Sequence, residues 1–433
     1  MKNYVKNART AVIAACFLTL LMLTASVRIV SANAAGAEPF ERAEVTVKVG
    51  KRTYYYRDNV LNAPDHTVYE QIERRNINAS LPDKLHTVEK CLNAGAEWRE
   101  AVRYAFPLFP DFVSKIKREN DVEPLDSKLS FDPKRKPEFR ITRSKEGRAI
   151  DEEKLYRDVF LSLKHKSKVT VTAAYVKLIP SVTEKDNVKL TDKISEFSTD
   201  FSSSLEGRKN NIKLALSKIN GTVLSAGESF SFNGRVGART EKAGFTTAKI
   251  IVGGEYVDGV GGGVCQVSTT LYNAALLAGM NVTKVRNHTI LPSYVPPSFD
   301  AMVNSSTSDL CFVNPYDTPV FIKAESGGDR AKITFYGVKP ELTIKTYSRE
   351  ISRTPAPEDR EIVDIDNKYF TPEMAGVERV RVSYGHSGVK SEGYLRYYRS
   401  DGSFVREEKI RSDTYAETAG VTAVRPKKSE ISE

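Results

Sequence analysis

One cysteine stands between a glycine run and a patterned apolar segment in GVGGGVCQVSTTLYNAALLAG, residues 259–279. From Val264 the apolar residues Val267, Leu271, Ala274, Ala275 and Ala278 recur on one helical face, and Gly279 suits a helix end. The pattern predicts a helix that opens at Cys265. Unsatisfied N–H groups and the positive dipole end at that position favour the thiolate, the reactive form of cysteine. Gly261, Gly262 and Gly263 remove side chains just ahead of it, which lets a substrate backbone approach and exposes N–H donors to a developing oxyanion.

A nucleophile needs a base. A helix from Cys265 to Ala278 is about 21 Å long. A strand returning through NVTKVRNHTI, at about 3.3 Å per residue, brings His288 back level with Cys265. Beyond Pro292, Pro296 and Pro297, Asp300 can return on a neighbouring strand to orient the imidazole. The candidate catalytic set is therefore Cys265, His288 and Asp300. The candidate substrate-binding groups are Gly261, Gly262, Gly263, Gln266, Ser268, Thr269, Glu228, Asn233, Arg286 and Tyr294. Against this stands a plainer reading, because a free cysteine is commonly a small packing residue and a lone histidine commonly structural.

Other chemistries fit less well. Cys265, His288, Asp300 and Cys311 lack the paired short spacings of zinc ligands, so no metal is expected. GVGGGV has neither the Lys-Ser/Thr ending of a phosphate loop nor GxGxxG spacing, so no nucleotide cofactor is expected and none of another kind is indicated. Cys311, in DLCFVN, reads as core packing and Asp258-Gly259 as a hairpin turn. Glu228, Asn233 and Arg239 sit in glycine-rich loops, where they either line a site or cap turns.

The 433 residues imply several domains, and the formal charge of +10 favours anionic partners. Lys2, Lys6 and Arg9 precede the apolar run Ala11 to Val27, and Ala32-Asn33-Ala34 offers a cleavage pattern, so residues 1–34 read as a signal peptide or a retained membrane anchor. An extracytoplasmic, secreted or anchored protein then meets wall polymers or membrane rather than nucleic acid. Outside that segment Cys91, Cys265 and Cys311 are odd in number and widely spaced, unlike a disulfide framework.

The elements that must position the site follow in order. AEVTVKV and RTYYYR read as a hairpin, and Leu85, Val88, Leu92, Trp98 and Val102 as one helical stripe in which Trp98 packs. Residues 137–143 read as a strand, Asp151 as the N-cap of a helix, and KVTVTAAYVKL as a β segment. Pro180 to Asp192 reads as a loop and a boundary. The expected organisation is α+β and multidomain: a region at 40–180, a central mixed domain at 194–338, an all-β module at 345–426 with a turn at Asp401-Gly402, and a disordered tail at 427–433.

The blocks RKNNIKLALSKINGTVLSAGESFSFN, VGARTEKAGF, GGGVCQVSTTLYNAALLAG, RNHTILPSYVPPSFDA and DLCFVNPYDTPVFI occur in order between about Ser198 and Tyr336. In them the chain resembles the VanW family of bacterial envelope proteins. One departure is Pro297 and Ser298, where a glycine-containing turn is expected before the aspartate. Leu129 to Leu178 resembles the peptidoglycan-binding module that often precedes a VanW domain, and Thr346 to Arg425 is similar to the five-glycine wall-associated domain that often follows one. The resemblance implies partners in peptidoglycan and anionic wall polymers, with the membrane added if the first segment is retained. It does not supply a reaction. The order Cys265, His288, Asp300 is similar to that in papain-like and transglutaminase-like enzymes, an analogy of roles only. Two functions stay open: a cysteine-dependent amidase, peptidase or transpeptidase, and a non-catalytic wall-binding scaffold.

Overall fold

The computed structural model describes residues 42–58, 79–252 and 255–426. The segment read as a signal or anchor and the tail at 427–433 lie outside the described residues. Among the described residues no helix is long and apolar enough to cross a membrane. The fold is α+β, in two units: Met1–Asp126 with Ser144–Ser181, and Ser127–Arg143 with Val182–Glu433.

In the first unit β1 (Glu44–Val49) pairs antiparallel with β2 (Arg52–Arg57) and parallel with β6 (Lys168–Thr172). Alternation puts Val45, Val47 and Val49 into one core with residues of α1 (Leu81–Asn93), α2 (Trp98–Ala105), α3 (Phe109–Asn120) and α4 (Glu152–Leu163). The single stripe expected from Leu85 to Val102 is two helices, because Gly95 takes φ +90° and its N–H returns to the Leu92 carbonyl. Helix α3 escaped the sequence reading. Asp151 caps α4 as expected, accepting from the Lys154 N–H at 3.0 Å, and Trp98 packs edge-on to Phe160. The β segment at 168–178 divides into β6 and β7 (Tyr175–Leu178), and β7 pairs with β5 (Gly147–Ile150) in a separate sheet.

The second unit holds the candidate site. Strands β3 (Leu129–Phe131) and β4 (Phe139–Ile141) pair in it. The segment 180–192, expected as loop, contains α5 (Glu184–Lys189), started by a Thr183/Asp186 capping box. Four antiparallel strands form the main sheet in the order β8-β16-β15-β9 (Asp192–Asp200, Arg330–Gly337, Val320–Gly327, Thr222–Leu224). Helix α6 (Glu206–Ile219) packs on β15, and α8 (Val264–Leu277) on β8 and β16. A small sheet, β10-β14-β13 (Ser229–Ser231, Cys311–Val313, Asn281–Lys284), runs beside the short helix α7 (Phe232–Val236). Strands β11 (Thr247–Val252) and β12 (Glu255–Val260) pair antiparallel with Lys249 opposite Asp258, so Asp258-Gly259 lies inside a strand and not at the turn expected there.

The carboxy-terminal part is all β: β17-β20-β21 (Thr343–Thr354, Gly388–Tyr398, Phe404–Tyr415) and β18-β22-β19 (Arg360–Val363, Val421–Val424, Arg379–Ser383). The first of these sheets does not stand apart. Ile344 and Leu395 belong to the same buried apolar cluster as Val267, Leu271 and Ala275 of α8.

Candidate functional site

Helix α8 is buried on nearly every side, with twelve of its fourteen residues out of solvent. Its polar residues must therefore find partners inside the protein. They do so on the segment that carries Asp300. Ser268 Oγ donates to the Ala301 carbonyl at 2.5 Å, Thr269 Oγ1 accepts from the Ala301 N–H at 3.0 Å, and Asn273 Nδ2 donates to the Phe299 carbonyl at 2.7 Å. Gln266 Nε2 reaches the Asp200 carbonyl on β8 at 2.7 Å. One polar row on a helix thus fixes an irregular segment against it.

The start of the helix is equally constrained. A Cβ on Gly262 would fall 2.6 Å from the Lys249 carbonyl oxygen, and Gly263, at φ +101°, lies against Arg208 and Ile212 of α6. The glycines were expected to make room for a substrate, yet the room they make is taken first by β11 and α6. Asn211 of α6 completes the clamp, donating to the carbonyls of Thr246 and Gly262 at 2.9 and 3.0 Å. The N–H groups of Val264 and Gln266 bond to Gly261 and Gly263, whereas those of Gly263 and Cys265 have no acceptor among the described residues.

Cys265 is the second residue of α8 and half-buried. As a thiol it donates to the Val303 carbonyl at 3.3 Å. His288 is buried, and its Nδ1 lies 2.6 Å from Asp300 Oδ2, which also accepts the His288 backbone N–H at 2.6 Å. With Nδ1 committed to the carboxylate, Nε2 is the nitrogen left to face the sulfur, and the two side chains line the same cavity. Neither His288 nor Asp300 lies on the strand expected for it. Strand β13 stops at Lys284, and the irregular segments beyond it carry both residues.

The electrostatics favour an ion pair. Burial pushes the Cys265 thiol up, but the hydrogen bond and charge of His288, a backbone hydrogen bond at Val303 and the Arg239 charge outweigh it and hold the thiol below its ordinary value. Burial alone would lower His288, but its bonds to Asp300 and Cys265 and their charges raise it to about 10. Asp300 has no solvent exposure, which pushes its carboxyl up, yet the bonds from His288 and Tyr415 hold it below the ordinary range.

Cys265 and His288 open into a cavity of about 530 Å³. Gly261, Gly262, Gly263, Gln266 and Tyr294 line it, as do Arg208, Arg239 and Lys249, with no carboxylate among the lining residues. Arg239 Nη2 bonds to Asn233, its guanidinium stands over the Phe232 ring, and its Nε has no partner among the described residues.

The other expected binding residues are placed differently. Ser268 and Thr269 have no exposed surface, so they hold the Asp300 segment in place of touching a ligand. Asn233 stands behind Arg239. Glu228 caps its own turn, accepting from the Ser225 N–H at 2.8 Å. The exposed Arg286 lies outside the cavity lining, and its carbonyl bonds to Met302. Sequence reasoning missed Arg208, Lys249 and Asn211 altogether, and it weighed Arg239 only as a loop residue. Among the described residues no group of three His, Cys, Asp or Glu side chains could hold a metal ion.

Residues 207–336 match the protein family described as "VanW like protein". A curated relative, "Uncharacterized protein YoaR" of Bacillus subtilis (strain 168), is 40% identical over 172 residues, which is 40% of this chain and 56% of the relative. The match thus spans about half of that relative's length. Two solved structures are similar to part of the chain. The IgA1 protease G5 domain structure is 19% identical, with TM-score 0.13, over 21% of this chain and 95% of its own. The crystal structure of HP0197-G5 is 16% identical, with TM-score 0.11, over 20% of this chain and 99% of its own.

Proposed function

From a chain whose residues 207–336 carry a VanW-like domain, we propose that this protein is a bacterial cell-envelope protein that acts on peptidoglycan through a Cys265 thioester. The observation that carries the reading is the Cys265–His288–Asp300 series at the edge of a cationic cavity, with the thiol held down and the imidazole held up. The Cys265 thiolate adds to an amide carbonyl of a stem peptide or cross-bridge. The N–H groups of Gly263 and Cys265, which have no acceptor among the described residues, receive the oxyanion. Imidazolium Nε2 of His288 gives its proton to the departing amine, the C–N bond breaks and a thioester remains. The neutral imidazole then takes a proton from water or from an acceptor amine as that nucleophile attacks the thioester. Release of the acid or the new amide restores the thiolate and imidazolium.

Peptidoglycan stems and the polymers around them carry anionic groups, which suits Arg208, Arg239 and Lys249 and the net charge of +10. Wall association is expected whether or not the sulfur reacts, and it should weaken with salt, since surface attraction is screened over about 10 Å at 0.1 M. The deciding experiment incubates the protein and its Cys265→Ser variant with purified sacculi and separates the released and cross-linked muropeptides. A changed muropeptide pattern that disappears in the variant supports the enzyme. Binding to sacculi with no change in muropeptides for either protein leaves a scaffold and defeats the catalytic reading.

A further inference from the structure

The carboxylate of Asp300 is held from two sides. Its Oδ2 accepts both His288 donors, and its Oδ1 accepts the hydroxyl of Tyr415 at 2.6 Å. Tyr415 ends β21, 115 residues along the chain from Asp300, and is buried. The same phenol oxygen accepts the N–H of Ser298 at 2.8 Å. Two residues back on the strand, Asp413 grips Arg411 with bonds of 2.7 and 2.8 Å, and Arg411 Nη1 donates to the Asp300 carbonyl at 2.9 Å. Period-two alternation explains how 411, 413 and 415 share one face of β21.

The turn they grip is strained. Ser298 takes φ +66°, a conformation that ordinary residues rarely adopt and that glycine would relieve. It is also the position where the sequence departs from the expected glycine turn. Its hydroxyl bonds to Ser391 of β20 at 2.8 Å, and Gly393 on the same strand lets the turn approach, since a Cβ there would lie 3.0 Å from the Ser298 Cβ. Beside this contact the Ala416 N–H donates to the Thr289 carbonyl at 2.8 Å, adjacent to His288.

We propose that the carboxy-terminal sheet completes the reactive site: Tyr415, with Ser391 and Arg411, is a positioning residue that holds the strained turn at 298–300 so that Asp300 meets His288. The proposal rests on the reading that Cys265, His288 and Asp300 act together. Removing the Tyr415 hydroxyl orphans two buried groups at once, Asp300 Oδ1 and the Ser298 N–H. The turn then relaxes, Asp300 leaves Nδ1, and the imidazolium that sustains the thiolate weakens. The charged and titratable groups around the sulfur are His288, Arg239 and Tyr294; those around Asp300 are His288, Tyr415, Arg411, Tyr272 and Tyr294.

The test measures alkylation of Cys265 by iodoacetamide against pH in the full chain with the other cysteines changed to serine. The rate follows the thiolate fraction. Tyr415→Phe is expected to move the acid limb up by about one pH unit, a tenfold loss of rate on that limb. Tyr394→Phe, whose hydroxyl bonds to Glu392 within its own sheet, should leave the limb in place. Ser391→Ala should move it in the same direction by less, and it serves as the readout if Tyr415→Phe fails to fold. Curves for Tyr415→Phe or Ser391→Ala that superimpose on the parent overturn the proposal. So does a downward shift, which would mean that Tyr415 only drains charge from Asp300 without holding it. The readout is the state of the sulfur and needs no substrate, so it stands or falls separately from any loss of muropeptide chemistry in Cys265→Ser.

Discussion

Cys265 and Cys311 are both half-buried, both unlinked by disulfides and both hydrogen-bonded, yet their thiols are shifted in opposite directions. Burial pushes both up. At Cys265 the neighbour is an imidazolium backed by a carboxylate, with a guanidinium beyond, and the balance turns downward. At Cys311 the neighbour is the carboxylate of Asp309, whose Oδ2 accepts from the thiol at 3.3 Å, and the thiol is pushed up to about 11. What a cysteine can do is set less by how deep it lies than by the sign of the charge that faces it. Cys311 was expected to be apolar packing; it is instead a neutral donor that helps hold Asp309, which also receives Ser231 and the Asn233 N–H.

The largest consequence is selectivity. At pH 7 a thiol with a value near 11 is ionised to roughly one part in ten thousand, whereas Cys265, held below the ordinary thiol value, carries a far larger thiolate fraction. Even allowing for the lower intrinsic nucleophilicity of a low-pKa thiolate, iodoacetamide should modify Cys265 at least a hundredfold faster than Cys311, as read by peptide mass mapping over time. Comparable rates would erase the distinction between the two sites.

His288→Ala should collapse the difference from the other side. Burial of Cys265 persists while its principal stabiliser is gone, so the thiol rises above the ordinary value of about 8.5, and alkylation at pH 7 falls by about a hundredfold. The variant's rate profile should then resemble that of Cys311. A smaller opposite effect is expected at Cys311, where Asp309→Asn removes the raising charge but leaves the burial. Its alkylation at pH 9 should increase several-fold, and an unchanged rate would show that burial alone sets its value.

Much of this contrast could be read from the chain before folding, for reasons that differ by residue. The helix start at Cys265 was legible because glycine clustering and a local apolar period are short-range signals. The reach of His288 was legible only as a distance, since rise per residue limits where a side chain can be but not how the backbone bends; the strand expected there stops at Lys284. Ser268 and Thr269 were misjudged because hydroxyls beside a candidate nucleophile look accessible until the helix proves buried on nearly every side. Tyr415 and Arg411 were beyond reach, because alternation identifies the face of a strand and not the surface it will cover. The irregularity at Ser298 was visible, and the structure supplies its physical meaning in the φ of +66° and the grip of β20 and β21.

The smallest effect is on stability, where the ion pair hides its own signature. His288, raised to about 10, contributes stability that is complete below the unfolded histidine value of about 6.5 and is lost as pH rises through 10. Cys265, held low, contributes the reverse: stability complete above the unfolded thiol value of about 8.5 and lost as pH falls through its folded value. Between about 6.5 and 8.5 the folded pair holds more of a proton on His288 and less of one on Cys265 than the unfolded chain, so its two slopes oppose. Cys265→Ser removes only the second term, leaving a His288 still raised by Asp300. Relative to the parent, the variant should therefore lose stability as pH rises across that window, by at most about 1.4 kcal/mol per pH unit. Urea midpoints at pH 6.5 and 8.5 measure this directly. If the two proteins change in parallel, the sulfur is not ionised in that range, and Cys265 differs from Cys311 in surroundings but not in charge.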